Sequence, residues 1–555
     1  MDRLWGAGII GAGALAAIST GIFFQSVYGV SVDDAYIFFV YARNLAEGNG
    51  WSFNPGETSF GTSSVLWTLI LAVTASFKTD LIQSSRILSC IFHALSTVAV
   101  MLILRRLTQC TWISILAGAA LATSSSLVLI AVTGMDVSVH ILTLLVLVLA
   151  FQRWGISRPI LLGVLAGTAF LSRPDAVIAI PMLFSSWLIV ELRRHRNLRY
   201  VISSSRRGWL RLGLAAFLTV LPWEIFLLVH TQRILPTTHY GKLLSMPGAP
   251  ETLDYSLGEK VVVAFNYSAE SLNWILTENG LFVSIILIII AGVVVFSKWL
   301  LFGNENGQKP DNREFLNVAT CLFLFLMFLG LPLEYGWKTP WWYGGYLHRY
   351  ILPVLPFAII LSFYGIFFVF ESIGLVRRDE HTTSTKSWSQ APRWAHLSSA
   401  TALALTVGVV VVLFFKQLAP AVENYRTMVG FNEKYRRAVA EWIATNTPVD
   451  ARIGECFLGT GAIGFYANRY FVECGGLIDD EIIDYWAMDG NPRSSGPETM
   501  EYFQAKGVTH LILSEGMGKS LGTAATEVAR IENPKGDLSW SGHDFNQAFI
   551  YRYHP

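Results

Sequence analysis

The fold class this sequence predicts is a polytopic α-helical membrane protein of about eleven spans with a C-terminal extracytoplasmic α/β domain. Three observations predict it. Of the 555 residues, 53% are hydrophobic and only 15% charged, whereas a soluble domain carries about a quarter charged residues. Apolar runs of roughly 18 or more residues, the length that crosses a bilayer core as a helix, recur through the first three quarters of the chain. From 417 onward they cease, and the chain becomes charged and punctuated by Gly and Pro. The formal net charge of +1 carries no signature of a nucleic-acid partner, and none is expected.

The first apolar run, 6–30, follows Met1-Asp2-Arg3. It is too long for the apolar region of a cleaved signal peptide, and no small-residue cleavage site follows it. It reads as an uncleaved anchor with the N-terminus in the cytoplasm. Lysine and arginine then set sidedness, because short cytoplasmic loops collect them. Arg193, Arg194, Arg196, Arg199, Arg206, Arg207 and Arg211 form the richest cluster and are assigned inside. Arg105, Arg106, Arg153, Arg158 and the segments 298–313 and 377–393 join them. These assignments agree only if 61–77 does not cross, so it is read as a helix in the outer interface with Trp67 at headgroup level. The spans are then 7–30, 87–104, 111–132, 135–152, 159–171, 175–192, 211–230, 279–299, 315–333, 350–370 and 397–416. The run 159–171 is short and ends at Ser172-Arg173-Pro174-Asp175 below the outer surface. Four outer segments result: 31–86, the turn at 133–136, 231–278 and 334–349.

The chain thus divides into a membrane domain, 1–416, and an outer cap domain, 417–555. In the cap, Tyr435, Val439, Trp442 and Ile443 share one face of a helix predicted over 431–446. Short apolar stretches at 452–457, 470–474 and 510–513 read as strands of a mostly parallel sheet. Cys90, Cys110 and Cys321 lie in or near spans and read as packed apolar side chains. Cys456 and Cys474 end two predicted strands, and a disulfide joins them if those strands are neighbours. No Cys or His spacing marks a zinc site.

Asp33 and Asp34 follow the first span and open a helix predicted over 35–47. Two readings stand side by side. Asp33 caps the helix and Asp34 favours its dipole, or the pair, short of hydration at the bilayer surface, supplies a general base. Other polar groups converge on the same side. They are Asp136 at the outer end of a span, Arg173 and Asp175, then His239, Tyr240 and Lys242, and finally His348 and Arg349. Arg173 and Asp175 read equally as a structural ion pair, Lys242 as a solvated loop residue, and Arg349 as a snorkelling cation. Trp337, Trp341, Trp342 and Tyr343 read as an interfacial aromatic belt. Taken together, acids by the first loop and cations opposite suit a phosphate-bearing lipid whose sugar points at a carboxylate.

At these residues the chain resembles the GT-C superfamily of membrane glycosyltransferases. The resembling stretches are Asp33-Asp34-Ala35-Tyr36-Ile37 through Trp51-Ser52-Phe53-Asn54-Pro55-Gly56-Glu57, then Ser64-Val65-Leu66-Trp67-Thr68 and Thr133-Gly134-Met135-Asp136. Leu171-Ser172-Arg173-Pro174-Asp175, Leu235-Pro236-Thr237-Thr238-His239-Tyr240-Gly241-Lys242 and His348-Arg349-Tyr350-Ile351-Leu352-Pro353 follow in the same order. Its first loop looks most like that of the mycobacterial terminal arabinofuranosyltransferases. Two departures stand out: Asp136 takes a position where many relatives carry Glu, and 341–347 does not follow the usual loop.

The resemblance implies a GT-C-like fold in the plasma membrane of a prokaryote and a single inverting displacement. One sugar, possible arabinofuranose among them, passes from a polyprenyl-phosphate donor to a glycan, lipid or protein acceptor. It assigns Asp33 as the base and Asp34 as its partner, with the two roles exchangeable. Lys242, Arg349, Arg173 and His348 would hold the donor phosphate, and Asp136, Asp175, His239 and Tyr240 the substrate. A divalent cation occurs in some relatives, but this chain shows no metal signature of its own. Three rivals remain. They are an oligosaccharide ligase or polymerase with a pyrophosphate-linked donor, a lipid-linked sugar transporter, and a receptor in which the acid pair is dispensable. A transporter would show internal repeats, and none is seen.

Overall fold

Among the described residues, the apolar runs form helices in the order the sequence predicts. The structure is a computed structural model that describes residues 2–26, 32–236, 238, 255–278, 284–301, 312–338, 349–374, 435–456, 459–479, 481–482, 485, 497–532, 539–540, 543–544 and 547–554. The expected span at 397–416, the outer residues His239, Tyr240, Lys242 and His348, and Trp341, Trp342 and Tyr343 lie outside them.

The first part of the chain forms α1 (Asp2–Ser26), α2 (Asp33–Ala46), α3 (Val65–Ser76), α4 (Leu81–Thr108), α5 (Thr111–Ala122), α6 (Ser125–Ala131) and α7 (Val137–Trp154). Next come α8 (Pro159–Ser172), a 3-10 turn (Pro174–Ile178), α9 (Ala179–His195), α10 (Leu198–Thr231), α11 (Leu257–Glu278), α12 (Ser284–Leu301), α13 (Asn312–Lys338) and α14 (Leu355–Ser372). Among the described residues, six helices are long and apolar enough to cross a membrane, and the pair α5–α6, bent by 55°, makes a seventh if it is one span. The chain is a multi-pass membrane protein. Large apolar side chains left bare on α10 and α12, such as Leu210, Phe217, Val229, Ile286 and Ile289, are what helices solvated by lipid present.

Glycines set how closely the helices approach. On α8, a Cβ at Gly163 would strike the Leu212 carbonyl and one at Gly167 would lie 2.9 Å from that of Ala216. This small-xxx-small stripe lets α10 lie flat on α8. With 14 residues, α8 rises about 21 Å, short of the roughly 30 Å of a hydrocarbon core. At its C-terminal end lies Ser172-Arg173-Pro174-Asp175, with Ser172, Arg173 and Asp175 buried. Proline at the first position of the following turn suits a helical start and ends α8 before it.

Three expectations change. The basic segment at 193–211 is not a loop: Arg199, Arg206, Arg207 and Arg211 lie on the opening turns of α10, a single helix of 34 residues. Trp67 is fully buried instead of lying at a headgroup surface, and its indole donates to the Gly134 carbonyl at 3.0 Å. The outer segment 231–278 contains the long helix α11, which its interrupted apolar pattern concealed. α11 rests on α13 where Gly336 leaves room for the Ala264 backbone.

The C-terminal part forms α15 (Arg437–Asn446), β1 (Arg452–Glu455), α16 (Thr460–Ala467), β2 (Tyr470–Glu473), α17 (Pro497–Ala505), β3 (His510–Leu513), α18 (Glu515–Ser520) and β4 (Ala525–Glu532). A two-residue ladder, β5 (Ser539–Trp540) with β6 (His543–Asp544), and β7 (Gln547–Tyr553) complete it. The main sheet runs β2-β1-β3-β7-β4. β1 pairs in parallel with β2 and β3, whereas β7 is antiparallel to β3 and β4 antiparallel to β7. The expected mostly parallel sheet is thus mixed, because β4 and β7 were not recognised as strands. Cys456 and Cys474 follow the neighbouring strands β1 and β2 and form a disulfide, with Cα atoms 5.2 Å apart.

The segment from α2 through Phe53 and the C-terminal sheet share one apolar core. Ile37, Val40, Tyr41, Trp51 and Phe53 pack with Val439, Ile443, Ile453, Ile463 and Phe471. At the β2 edge, Asn54 acts as a surrogate strand. Its amide donates to the Phe471 carbonyl at 2.8 Å and accepts the Phe471 N–H at 2.9 Å. That covers a sheet edge that would otherwise be open for pairing. Beside it Glu57 accepts from Tyr470 and pairs with Lys506 at 3.0 Å.

Candidate active site

Two clusters of buried charge meet the opening of α2. The helix begins at Asp33, and its N-cap is Val32, whose apolar side chain cannot accept a hydrogen bond. The capping reading of Asp33 is therefore replaced by a tertiary one. Its carboxylate accepts the N–H of Ala462 at 2.8 Å and that of Gly461 at 3.4 Å, at the N-terminus of α16. Arg436 completes the set at 3.3 Å. Free N–H groups at a helix start and a guanidinium are both suited to a carboxylate. Gly461 makes the approach possible, since a Cβ there would collide with the Asp33 carbonyl oxygen. Burial pushes the Asp33 carboxyl above its ordinary range. Arg436 and the Ala462 N–H oppose the rise, and Asp34 adds to it.

Asp34 faces the other way. It is the more open of the two, with 29% of its side chain exposed, and it accepts from Arg349, whose own side chain is 4% exposed. Arg349 also donates to the Tyr350 hydroxyl at 2.8 Å. Burial works against the Arg349 charge, but Asp34 and Tyr350 hold it more firmly protonated than an ordinary arginine.

Arg173, in extended backbone between α8 and the 3-10 turn, is the hub of the second cluster. Its Nε lies 3.4 Å from Asp175 and its Nη1 3.9 Å from Asp136. Its Nη2 donates to the Tyr335 hydroxyl at 3.0 Å, and that hydroxyl in turn donates to Asp175. His140 lies 3.7 Å from Asp175 and 2.9 Å from the Ser172 hydroxyl. Asp136 stands in the N-cap position of α7, after a turn that Gly134 allows with φ of 76°. The Trp67 indole fixes the same turn from α3. Burial pushes the Asp136 carboxyl up, against Arg173 and Arg349, while Asp175 adds to the rise. Burial disfavours the Arg173 cation too, yet Tyr335, Asp175 and Asp136 around it hold its proton more tightly than usual.

Of the residues singled out from sequence, the structure gathers Asp34 with Arg349, and Asp136 with Arg173 and Asp175. It turns Asp33 toward the C-terminal sheet domain. His239, Tyr240, Lys242 and His348 are outside the described residues. Tyr335, Tyr350, His140 and Arg436 went unseen. Tyrosine or histidine at the end of an apolar run carries no signal that separates packing from chemistry, and Arg436 lies in a segment read for its apolar face. Among the described residues, no group of three or more His, Cys, Asp or Glu side chains could hold a metal ion.

Residues 64–226, which include Asp136, Arg173 and Asp175, match the family model described as dolichyl-phosphate-mannose-protein mannosyltransferase. No curated protein is significantly similar in sequence to this chain. Among solved structures, ArnT from Cupriavidus metallidurans bound to undecaprenyl phosphate superposes with a TM-score of 0.56 at 11% identity, over 97% of each chain. The oligosaccharyltransferase of Archaeoglobus fulgidus, tethered with an acceptor peptide, gives 0.52 at 11% identity, over 97% of this chain and 75% of that one. At such identities the likeness is one of fold, and the fold is GT-C-like: membrane helices followed by a sheet-containing C-terminal domain.

Proposed function

We propose that this chain is an inverting membrane glycosyltransferase that moves a single sugar from a polyprenyl-phosphate donor to an acceptor hydroxyl on the outer face of a prokaryotic plasma membrane. One observation carries the reading. Two carboxylates adjacent in sequence are driven into opposite environments, one lifted by burial and one bound to a buried arginine. A pair split in this way divides the labour of acid–base chemistry and electrostatic holding.

On this reading Asp33 is the base. Burial raises its pKa above that of an ordinary carboxylate, which strengthens it as a base, and among the described residues its Oδ2 carries only the long 3.4 Å contact from Gly461. It removes the proton from the acceptor hydroxyl, the oxygen attacks the anomeric carbon, and the bond to the donor phosphate breaks. Asp34 aligns Arg349, which with Arg173 takes the charge that develops on the departing phosphate. Lys242 and His348 are assigned to the same phosphate. Asp136, Asp175, His239 and Tyr240 are assigned to the sugar and acceptor. A glycan, lipid or protein acceptor fits equally, and the arabinofuranosyl reading rests on the first-loop resemblance alone. The N-terminus is assigned to the cytoplasm and residues 417–555 to an outer cap.

The test is transfer from radiolabelled polyprenyl-phosphate sugars by the purified protein. Asp33→Asn is expected to abolish transfer while lipid-phosphate binding persists, and Arg349→Gln to lose that binding. Near-wild-type turnover in Asp33→Asn would remove Asp33 from the base role, and unchanged lipid-phosphate affinity in Arg349→Gln would place the phosphate elsewhere.

A further inference from the structure

Arg173 and Arg349 reach the site from different elements and come to rest on the same ring. Their guanidinium carbons lie 5.0 and 4.9 Å from the centroid of Tyr350. Both are within the range at which an aromatic face attracts a cation, and the attraction grows where water is excluded, as it is around these two buried side chains. The half-buried Tyr350 ring is backed in turn by Tyr335, with centroids 5.2 Å apart. Tyr335 accepts from Arg173, and the Tyr350 hydroxyl accepts from Arg349 at 2.8 Å. Tyr350 thus contacts both cations, and Tyr335 adjoins it.

Two cations that share one ring repel one another in a medium of low dielectric. The carboxylates answer each cation on its own side: Asp34 binds Arg349, while Asp136 and Asp175 bind Arg173. These pairings tie Arg349 to α2 and Arg173 to the start of α7 and the 3-10 turn. Tyr350 contacts both cations and so links the two sets. Its residue type also matters. An aliphatic side chain would fill the same space without attracting either cation, and a carboxylate would neutralise the charge that an incoming anion needs.

We infer that Tyr350 is a positioning residue that sets Arg173 and Arg349 at the spacing at which one phosphate group engages both. This rests on the reading of the two arginines as donor-phosphate ligands. The ring acts through the cations, and its hydroxyl is an accessory that orients Arg349.

The experiment titrates the full-length protein in detergent with undecaprenyl phosphate as the probe, comparing wild type with Tyr350→Phe, Tyr350→Leu and Tyr350→Met. Phe keeps the ring and is expected to bind within about threefold of wild type. Leu and Met remove it and are expected to bind about tenfold more weakly. Using two ring-free variants guards against one that fails to fold. Adding Arg349→Gln to the Leu or Met variant is expected to cost less affinity than adding it to wild type, because the shared seat is already gone. In transfer assays the donor KM should rise more than kcat falls, and Phe should restore it. Wild type without affinity for the lipid overturns the phosphate reading and this inference with it. Wild-type affinity together with undiminished binding by Leu and Met overturns this inference alone. Phe binding as weakly as Leu also overturns it, because the hydroxyl would then be the operative group.

Discussion

Asp33 accepts the backbone N–H of Ala462 at 2.8 Å, across 429 positions of sequence. This bond docks the sheet-containing domain on the first residue of α2. Around it the Tyr36 and Tyr466 hydroxyls meet at 3.1 Å, and Arg43 donates to the Phe465 carbonyl at 3.2 Å. α16 is thereby laid along α2 from its start to its last turns, so the position of the acid pair depends on a domain that is otherwise far from the membrane helices in sequence.

The first prediction follows from the glycine at that contact. Gly461→Ala places a Cβ against the Asp33 carbonyl, which cannot move without shifting α2. Overpacking of this kind costs about 1–3 kcal/mol. Hydrogen exchange in α2 and α16 should accelerate and sugar transfer should fall at least about tenfold. Gly516→Ala, at an exposed position with open space around it, should change neither. Protection of α2 that matched wild type in Gly461→Ala would show that the two helices are held by other contacts.

The second concerns pH. Asp33 has its carboxyl raised above the ordinary value of 3.8, chiefly by burial, and Arg436 pulls it back down. In the base role proposed for it Asp33 must be ionised to act, so the acid limb of kcat/KM should lie above 3.8, with activity lost as pH falls through it. Removing the opposing cation in Arg436→Gln leaves burial less restrained, and the limb should move toward higher pH. A limb that moved down, or stayed in place while activity fell, would mean that Arg436 acts on docking alone.

How much of this was legible in the sequence depends on the kind of contact. Asp136, Arg173, Asp175 and Arg349 could be brought to one side because lysine and arginine fix the sidedness of short loops, which needs no three-dimensional information. The long-range contact from Asp33 to its real partners, Gly461 and Ala462, could not. Nothing local in Gly459-Thr460-Gly461 distinguishes a turn from a surface built to receive a carboxylate. Trp67 was misplaced for a related reason: an indole near a membrane surface suits a headgroup belt and a buried donor to Gly134 equally well. The strand β4 escaped because Ala525–Glu532 is largely exposed and carries alternating charge at the sheet edge. Composition there describes solvent, not pairing.

A third prediction separates buried from exposed ion pairs. Arg173 answers both Asp136 and Asp175, and all three side chains are at most 6% exposed. Replacing it with Met leaves two carboxylates without their cation, a loss of about 3–5 kcal/mol. The unfolding temperature in detergent should drop markedly and recover in part when Asp175→Asn is added. Lys519→Met, which breaks an exposed pair with Glu515, should leave it unchanged. Equal effects at the two sites would mean that water reaches Arg173 freely.

The fourth prediction is about the covalent link behind α16. The Cys456–Cys474 disulfide closes a segment of 18 positions that contains the whole of α16 and therefore both N–H groups that bind Asp33. Closing a loop of this length stabilises by about 3 kcal/mol through the unfolded chain. Reductant should lower both the unfolding temperature and sugar transfer in wild type. The Cys456→Ser/Cys474→Ser double variant should start at the lower level and be indifferent to reductant. Transfer should suffer more than the loss of stability alone explains, because α16 carries the donors that hold Asp33 in place. If reductant changed neither quantity, α16 would be fixed without the link. Two polar contacts are in place to do that: Asn54 on the Phe471 backbone, and Arg469 on the Ala444 and Thr447 carbonyls at 2.7 and 3.0 Å.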